Sequence, residues 1–414
     1  MITVSIIGLG GRGRIYASNL KSNPNVKIVA LCELNEDILN TQGDSLGVDP
    51  DMRFTDDTEF FKKGLLSNAL VIATGDRDHY SHAVSALNIG YNLLLEKPIS
   101  PIKEECEEIA RIATERELKV VVCHVLRYSG FYDTIKQQID NYAIGDIVSI
   151  NITENVGYWH FSHSYVRGNW KKESESGPSI LAKCCHDLDM IYYLSGKSAV
   201  SLFSVGYRKK FLPNLAPENA SEYCMDPCPV RASCPYEARK IYYGFTKYTI
   251  PLLLVKIKLI TGKGKPRYKD LKNALKSSPY GKCVYKCDND VIENQIVAIN
   301  LSGNVTGSLH MNAFSKKCYR ELHVTGTLGE ISGNDKDGKF KLNVFGGPTK
   351  VIKVQSGNFT NHLGGDSMLV KDFVDFLNTG VKSKRLSTIN VTLESHRMAF
   401  AAEESRKNNV SVLM

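Results

Sequence analysis

Two side chains of this sequence have the chemistry to take part in proton transfer, and the first is a lysine. The apolar segment 92–95 is typical of a short strand, and Glu96, Lys97 and Pro98 follow it directly. In a parallel sheet, the carboxyl ends of the strands are where ligands bind. A lysine at such a place can accept a proton when burial and neighbouring charge lower its pKa toward neutrality. We therefore predict that Lys97 is catalytic, the alternative being a surface lysine that happens to follow a strand.

The second candidate is His186, within the segment 180–189. A helix over this segment would place Lys183, His186 and Asp189 on one face, because they are spaced three residues apart. A histidine can move a proton or orient a hydroxyl group near neutral pH. The alternative is a histidine that is buried and satisfied in the core. We predict a catalytic His186 that also contacts substrate, with Lys183 as a further donor.

A glycine-rich turn at the start of the chain predicts a dinucleotide site. The strand-like segment 3–7 is followed by Gly8, Gly10 and Gly13, and a helix pattern begins at residue 14. Glycines in such a turn permit the tight bend, the close approach of a pyrophosphate and close helix packing, while the helix N-terminus offers N–H groups. Glu33 ends a second apolar strand, where a carboxylate can accept hydrogen bonds from ribose hydroxyls. The alternative is a glycine turn that binds nothing.

The same region favours NAD over NADP. A 2′-phosphate requires a cation near the end of the second strand, and an acidic residue there repels it. Glu33 is followed by Leu34 and Asn35, so no Arg or Lys is adjacent. Arg12, in the glycine loop, is expected to contact the pyrophosphate. The predicted cofactor-binding residues of this region are Gly8, Gly10, Gly11, Arg12, Gly13 and Glu33.

Three motifs occur in order within the first hundred residues. They are the glycine turn, the sequence Thr-Gly-Asp-Arg-Asp-His from Thr74 to His79, and Glu96-Lys97-Pro98. Together they resemble the glucose-fructose oxidoreductase, inositol dehydrogenase and rhizopine catabolism (Gfo/Idh/MocA) family. The resemblance covers the first domain closely and the second in outline. It implies further cofactor-binding positions at Thr74, Asp76, His79, Glu96 and Lys97.

The resemblance also implies an activity. We expect an NAD-dependent dehydrogenase that transfers a hydride between a nicotinamide and a carbinol of a sugar, a sugar derivative or a cyclitol. Two alternatives stay open: an enzyme that cleaves a glycoside or anhydro-sugar by transient oxidation and recycles its NAD, and a non-catalytic sensor that binds the dinucleotide. The family's pattern has an Asp four residues before the catalytic His, and here that position is Ala182. His186 therefore lacks its usual acidic companion.

The segment 158–170, rich in aromatic and polar residues, is the predicted substrate loop. Aromatic faces with directed donors suit a polyhydroxylated ring. An interface loop between subunits is the alternative. The predicted substrate-binding residues are His163, Arg167, Trp170, Lys183 and His186. Farther along the chain, Asp366 precedes a predicted helix and is expected to be its N-cap.

These residues need a scaffold that brings strand ends together. Residues 1–124 alternate short apolar strands with helices, which is typical of a doubly wound parallel (Rossmann) sheet that binds NAD. The pattern of residues 125–414 predicts a substrate-binding α+β domain with a large, mostly antiparallel, open sheet. Residues 209–288 fit neither pattern and are predicted to be an insertion. The predicted strands are 3–7, 27–32, 69–73, 92–95 and 119–123, then 146–156, 291–301, 305–312 and 321–325, and the late helices are 367–377 and 393–407.

Length and charge narrow the class of protein. A chain of 414 residues exceeds the about 250–300 residues at which single cores stop growing, so two domains are expected. The net charge is +8, with Lys and Arg concentrated only in residues 238–277, so we expect no nucleic-acid partner. No segment reaches the about 18 apolar residues that a membrane span needs. Since the first strand begins at once, we expect no membrane partner and a cytoplasmic location.

The chain has 11 cysteines, and this odd number fits reduced thiols better than a disulfide framework. Cys224, Cys228 and Cys234 lie close together in sequence, with Cys283 and Cys287 farther on. Four thiolates from this group could hold a tetrahedral zinc ion, whereas packed thiols are the alternative. We predict no metal in the catalytic site.

The outer face of an open sheet needs cover wherever it is apolar. The strands predicted at 291–301 and 305–312 have alternating apolar positions, and the resemblance implies that this face packs against another subunit. We therefore predict a homo-oligomer, either a dimer or a tetramer, with two-fold symmetry.

Overall fold

The computed structural model describes residues 1–243, 260, 267–354 and 364–414. Residues 2–122 contain a six-stranded parallel sheet in the order β3-β2-β1-β4-β5-β6. The strands are β1 (Ile2–Ile7), β2 (Val26–Cys32), β3 (Arg53–Phe54), β4 (Ala69–Ile72), β5 (Asn92–Leu95) and β6 (Val120–Val122). The strand order reverses between β1 and β4, and ligands bind at such a switch point in doubly wound sheets.

Helices cover both faces of this sheet, which explains why its strands are short, apolar and buried almost throughout. They are α1 (Gly11–Lys21), α2 (Glu36–Leu46), α3 (Asp57–Lys62), α4 (Asp78–Ile89) and α5 (Lys103–Glu115). After β6, helix α6 (Gly130–Asp140) leads into the second sheet. The parallel sheet predicted for this part of the chain is confirmed, and the ends of the five predicted strands differ from the observed ones by at most one residue.

The second sheet has nine strands in the order β14-β13-β12-β11-β7-β10-β9-β8-β15. Its strands are β7 (Ile147–Gly157), β8 (Ala199–Tyr207), β9 (Asn294–Leu301), β10 (Val305–Ser315), β11 (Tyr319–Gly326), β12 (Gly329–Asn334), β13 (Lys339–Val344), β14 (Lys350–Lys353) and β15 (Val412–Leu413). Only β7 and β10 pair in parallel, so the mostly antiparallel sheet is as predicted.

One face of the second sheet carries the core, and the other is open. In β9 buried and exposed residues alternate from Gln295 to Leu301, as expected when only one face is covered. The helices and helical turns between β7 and β8 are α7 (Tyr158–Phe161), a π-helical segment (Ser162–Arg167), α8 (Glu173–Ser176), α9 (Ser179–Ala182) and α10 (Cys185–Ser195), of which α7 and α10 pack against β7 and β10. Later come α11 (Ala238–Tyr242), α12 (Tyr268–Ala274), α13 (Gly365–Thr379) and α14 (Ile389–Asn408). Helix α14 packs against β8, α10 and α5 and so joins the two sheets.

Several elements differ from the predictions. The two-residue strand β3 was not predicted, because two residues are too few to show a period. Strands β8 and β12 to β15 were also not predicted. The helix predicted over 180–189 is broken: α9 ends at Ala182, and α10 begins at Cys185. Between β8 and β9 the described residues form the short helices α11 and α12 with a small apolar cluster of their own.

Among the helices that the structure describes, none combines the length and the apolar character that a membrane crossing needs. The apolar run 250–260, which is shorter than a membrane span, lies outside the described residues apart from Ile260.

A buried ion pair ties the segment after β6 to α10. Arg127 donates two hydrogen bonds to Asp189, from Nε at 2.7 Å and from Nη2 at 2.5 Å. Arg127 is 2% exposed and Asp189 is fully buried. Burial opposes ionisation of Asp189, but Arg127 outweighs it and lowers the pKa of this carboxyl. Both groups therefore carry their charges inside the protein.

We expect Arg127→Met to lower the free energy of unfolding by about 3–5 kcal/mol, because Asp189 would remain buried without its partner. The matched control is Arg397→Met. Arg397 pairs with Glu107 at the surface, and the loss of such a pair costs at most about 1 kcal/mol. Urea unfolding followed by tryptophan fluorescence measures both variants, and equal losses would contradict this account of the buried pair.

Candidate functional site

Two glycines of the first turn are fixed by packing. Gly8 has φ +87°, and a Cβ there would lie 2.5 Å from the carbonyl oxygen of Ala73. A Cβ on Gly13 would lie 1.9 Å from the carbonyl oxygen of Gly8. Both clashes are with backbone, which cannot move aside, so the turn between β1 and α1 requires glycine at both positions.

The other two glycines of the turn are open. A Cβ on Gly10 or Gly11 would meet no atom within 4 Å. Gly10 is the N-cap of α1 and no side chain caps this helix end, so its N–H groups and its positive dipole are available to an anion. An open, glycine-lined helix N-terminus at the switch point fits the pyrophosphate of a dinucleotide.

Glu33 lies against the same turn. Its carboxylate accepts a hydrogen bond from the backbone N–H of Leu9 at 2.7 Å and one from Asn35 at 3.0 Å. Its own backbone N–H donates to the carbonyl of Phe54 at 3.0 Å, so the short strand β3 positions this residue. A negative charge therefore stands beside the glycine loop at the end of β2.

Arg12 is engaged within the protein, although the sequence suggested a pyrophosphate contact. Its Nε donates to Glu96 at 2.6 Å, and its Nη2 donates to Asp366 at 2.5 Å and to the hydroxyl of Tyr16. Burial opposes ionisation of Glu96, but Arg12 and then Lys97 outweigh it and lower the pKa of this carboxyl. The expectation that Asp366 is an N-cap is wrong, since Gly364 is the N-cap of α13.

The turn after β4 connects several predicted cofactor-binding residues to their surroundings. Thr74 Oγ1 is 3.1 Å from Nδ1 of His82, and Asp76 accepts a hydrogen bond from Nε1 of Trp170 at 2.8 Å. His79 donates through Nδ1 to the carbonyl of Pro98 at 2.7 Å. The Trp170 contact brings the predicted substrate loop onto this turn, and His79 supports the segment that carries Lys97.

Lys97 reaches from the first sheet to the second part of the chain. It follows β5 at the carboxyl edge of the sheet, and its backbone N–H donates to Glu96 at 3.0 Å. Its Nζ donates to the carbonyl oxygen of Ala182 at 3.1 Å. The resembling family has an Asp at the position of Ala182. In this chain Ala182 contacts Lys97 through its backbone carbonyl instead of through a side chain.

His186, in the first turn of α10, faces a second histidine. Its Nδ1 is 3.3 Å from Nδ1 of His124, and the two rings pack edge to face at 5.3 Å. His124 was not singled out in the sequence, although it follows β6 at the same sheet edge as Lys97. Its position directly after a predicted strand was the sequence signal that could have identified it.

Lys183 lies in the break between α9 and α10 and does not share a helix face with His186. Its Nζ is 2.9 Å from Glu154 in β7. Arg320 in β11 pairs with Glu154 at 2.9 Å and with Asp187 at 2.6 Å. Burial raises the pKa of Asp187 to about 6, with Arg320 opposing that rise. Lys183 thus belongs to a buried network of alternating charges.

His163 and Arg167 contact the segment between β8 and β9. The ring of His163 stacks on Tyr280 at 4.9 Å, and its Nδ1 is 2.9 Å from the hydroxyl of Tyr242. Arg167 is 2% exposed, and it donates to the carbonyl oxygens of Lys282 at 2.8 Å and Tyr236 at 2.9 Å. The structure therefore brings Trp170, Lys97 and His186 to the region between the sheets. His163 and Arg167 contact described residues between β8 and β9, and their role in substrate binding stays a prediction.

All eleven cysteines are free thiols. A small cavity of about 20 Å³ has four of them in its lining: Cys224, Cys228, Cys234 and Cys283. Arg167 Nη2 lies 3.7 Å from the sulfur of Cys224. Over the described ranges, no group of three or more His, Cys, Asp or Glu side chains has an arrangement that could hold a metal ion.

Curated relatives match part of this chain. A 2,7-anhydro-N-acetylneuraminate hydratase from Mediterraneibacter gnavus is 25% identical over 192 residues, covering 46% of this chain and 49% of the relative. A glucose-6-phosphate 3-dehydrogenase from Bacillus subtilis is 24% identical over 201 residues, covering 47% and 54%. The chain spans about half the length of the curated relatives it matches.

The fold matches that of solved structures over the whole chain. An oxidoreductase from Agrobacterium radiobacter, solved in complex with NAD+, L-tartaric acid and magnesium, superposes with a TM-score of 0.71 at 14% identity and covers 100% of this chain and 98% of its own. Residues 2–124 match the sequence model of the oxidoreductase family NAD-binding Rossmann fold. Residues 136–413 match that of the family's C-terminal alpha/beta domain. The chain belongs to the Gfo/Idh/MocA oxidoreductase family.

Proposed function

We propose that this protein is an NAD-dependent dehydrogenase that oxidises a carbinol of a sugar, a sugar derivative or a cyclitol. The observation that carries the proposal is the position of Lys97. Its amine lies at the carboxyl edge of the parallel sheet, beyond the open glycine turn, and reaches the carbonyl of Ala182 in the other half of the chain. Residues 1–124 are proposed to bind the cofactor, and residues 125–414 are proposed to bind the substrate.

Oxidation of a carbinol needs a base for the hydroxyl proton and an acceptor for the hydride. Bound NAD would supply the hydride acceptor. The open N-terminus of α1 with Gly10 and Gly11 would bind its pyrophosphate, and Glu33 would accept hydrogen bonds from its ribose. Thr74, Asp76 and His79, on the turn beside Lys97, are proposed to complete this binding site.

Lys97 is proposed to take the hydroxyl proton. A lysine can do so only as the neutral amine, and a carboxylate partner would hold it in the charged form. The described residues give Lys97 Nζ a hydrogen bond to a carbonyl and no ion pair. The carboxylate next to it, Glu96, is already paired with Arg12. Trp170 and His186 are proposed to contact the substrate from the opposite side.

We expect Lys97→Met to lower kcat by about 10²–10⁴-fold, because the loss falls on the proton transfer, and to leave the Kd for NAD largely unchanged. Turnover is followed as NADH absorbance on a panel of sugars and cyclitols, and NAD binding by calorimetry. Lys103→Met, an exposed lysine at the start of α5, is the matched control. Near-native turnover of Lys97→Met would refute the role of this residue.

NAD is proposed as the cofactor rather than NADP. The carboxylate of Glu33 is held at the end of β2 by two backbone N–H groups, so it cannot easily turn away from a 2′-phosphate. The repulsion between the two anions would weaken NADP binding.

We expect the native protein to bind NAD more tightly than NADP. Glu33→Gln should reduce the ratio of the two Kd values by about tenfold to hundredfold, because removing such a repulsion is worth about 1–3 kcal/mol. Glutamine keeps the length of the side chain and removes its charge. Calorimetric titration with both dinucleotides measures the difference. Equal affinities in the native protein would contradict the preference.

A second function uses the same residues. An enzyme that oxidises its substrate transiently, cleaves or hydrates it and then reduces it would recycle NAD without net redox. We keep this alternative because one of the relatives that the chain matches is a 2,7-anhydro-N-acetylneuraminate hydratase. Mass spectrometry of the same substrate panel separates the two functions: product without accumulated NADH supports recycling. A non-catalytic sensor would bind NAD and convert none of the panel.

A homo-oligomer, dimer or tetramer, is proposed to form through the open face of the nine-stranded sheet. Phe203 in β8 is 39% exposed and Ile296 in β9 is 44% exposed. They lie opposite Ala298 and Val205 on the neighbouring strand, so the four residues form a continuous apolar area. A second copy of the same face is the symmetric way to cover it.

We expect light scattering at micromolar concentration to show a dimer or a tetramer. Ile296→Glu should shift the protein toward the monomer, because it places a charge inside the apolar area. Leu65→Glu, at an exposed leucine before β4, should leave the assembly unchanged. A native protein that is monomeric under these conditions would exclude the interface.

A further inference from the structure

His124 is a fully buried residue at the end of β6, and its contact with His186 restricts the protons on both rings. The two Nδ1 atoms are 3.3 Å apart. A hydrogen bond between two imidazole nitrogens needs one proton on one of them, because the other must accept. If both rings are neutral, one ring therefore carries its proton on Nδ1 and the other on Nε2. The surroundings decide which ring is which.

The carboxylate of Asp189 favours a proton on Nδ1 of His124. Its Oδ2 is 3.8 Å from that nitrogen, and it is held there by the two hydrogen bonds from Arg127. A negative charge at this distance stabilises the positive end of an N–H bond directed near it. Nε2 of His124 is buried with no hydrogen-bond partner among the described residues. With the proton on Nδ1, no N–H group of His124 is left unsatisfied.

His124 is neutral at physiological pH. Burial lowers its pKa to about 4, Asp189 opposes this shift, and Arg127 and Lys97 add to it. The third histidine packed here, His396, has its ring 6.0 Å from that of His124. Its Nε2 accepts a hydrogen bond from the backbone N–H of Ile99 at 2.9 Å, so it does not compete for the proton between the other two rings.

We propose that His124 is a positioning residue that donates its Nδ1–H to Nδ1 of His186 and thereby fixes His186 as the Nε2–H tautomer. In this tautomer Nε2 of His186 carries a proton, so it can donate a hydrogen bond and cannot act as a base. It would hold the oxygen of the substrate carbinol, while the hydroxyl proton goes to the amine of Lys97. This role of His186 rests on the proposed function, whereas the tautomer of the pair does not.

The tautomer is tested on protein labelled with ¹⁵N in its histidine rings, because the two nitrogens of a neutral ring differ in chemical shift according to which carries the proton. The His186 signals are those absent from His186→Asn, and the His124 signals those absent from His124→Asn. We expect a protonated Nε2 on His186 and a protonated Nδ1 on His124. The reverse assignment, or a charged His186 at pH 7, would overturn the proposal.

Two substitutions test the donor itself. In His124→Asn the amide nitrogen takes the place of Nδ1 and can still donate, whereas His124→Leu has only a methyl group there. We expect His124→Leu to lower kcat about 10- to 100-fold, because His186 would be misplaced, and to leave the Kd for NAD unchanged. His124→Asn should retain most of the activity. His323→Leu, an exposed histidine in β11, is the control for loss of a histidine and is expected to match the native protein.

The outcomes separate this proposal from the proposed function. If the native protein converts nothing in the substrate panel, the dehydrogenase proposal fails, and the ¹⁵N spectra still decide the tautomer. If the native protein is active and His124→Leu matches it, His124 has no positioning role. If His124→Asn and His124→Leu lose the same activity and the same thermal stability, His124 is merely structural and the proposal is overturned.

Discussion

Arg12 joins three segments that are distant in sequence: the glycine turn, the strand end that carries Lys97, and the first turn of α13. Its contacts with Glu96 and Asp366 are charged hydrogen bonds, with Glu96 nearly and Asp366 fully shielded from water. Loss of Arg12 would leave both carboxylates inside the protein without this partner, which costs several kcal/mol. Arg12 therefore links the cofactor turn to the candidate base, in addition to the pairing of β1, β4 and β5 in one sheet, and any ligand spanning both meets a preformed geometry.

The second half of the chain is attached to this frame by polar contacts at the same edge. Trp170 donates to Asp76, and Lys97 donates to Ala182. Behind them, Arg127, Asp189 and His124 support α10, which carries His186. Hydride transfer requires that two bound molecules be held in fixed orientation. The proposed site, which is assembled from both sheets and supported by buried charges and backbone groups, would meet that requirement.

The sequence predicts the parallel sheet well because its signals are local. Buried strands are continuous apolar runs, and the glycines of the turn are required by backbone clashes within a few residues of β1 and β4. The break at Lys183 and Cys184 could not be predicted, since it depends on Glu154 and Arg320 in two distant strands. For the same reason, the contacts of Arg167 and His163 within the protein could not be predicted, and their contact with substrate stays a prediction. Their partners lie in a segment with no recognisable period, and a buried arginine looks the same in sequence as an exposed one.

The contact between Lys97 and Ala182 has a consequence for how this site responds to acid and to mutation. A carbonyl oxygen of the backbone does not ionise, so its interaction with the amine is the same across the whole range in which a carboxylate would gain a proton. The oxygen is also contributed by the main chain at the end of α9, and replacing the side chain at this position leaves it in place. The acceptor that faces the amine is thus unaffected by acidity and by most substitutions at residue 182, because it belongs to the backbone.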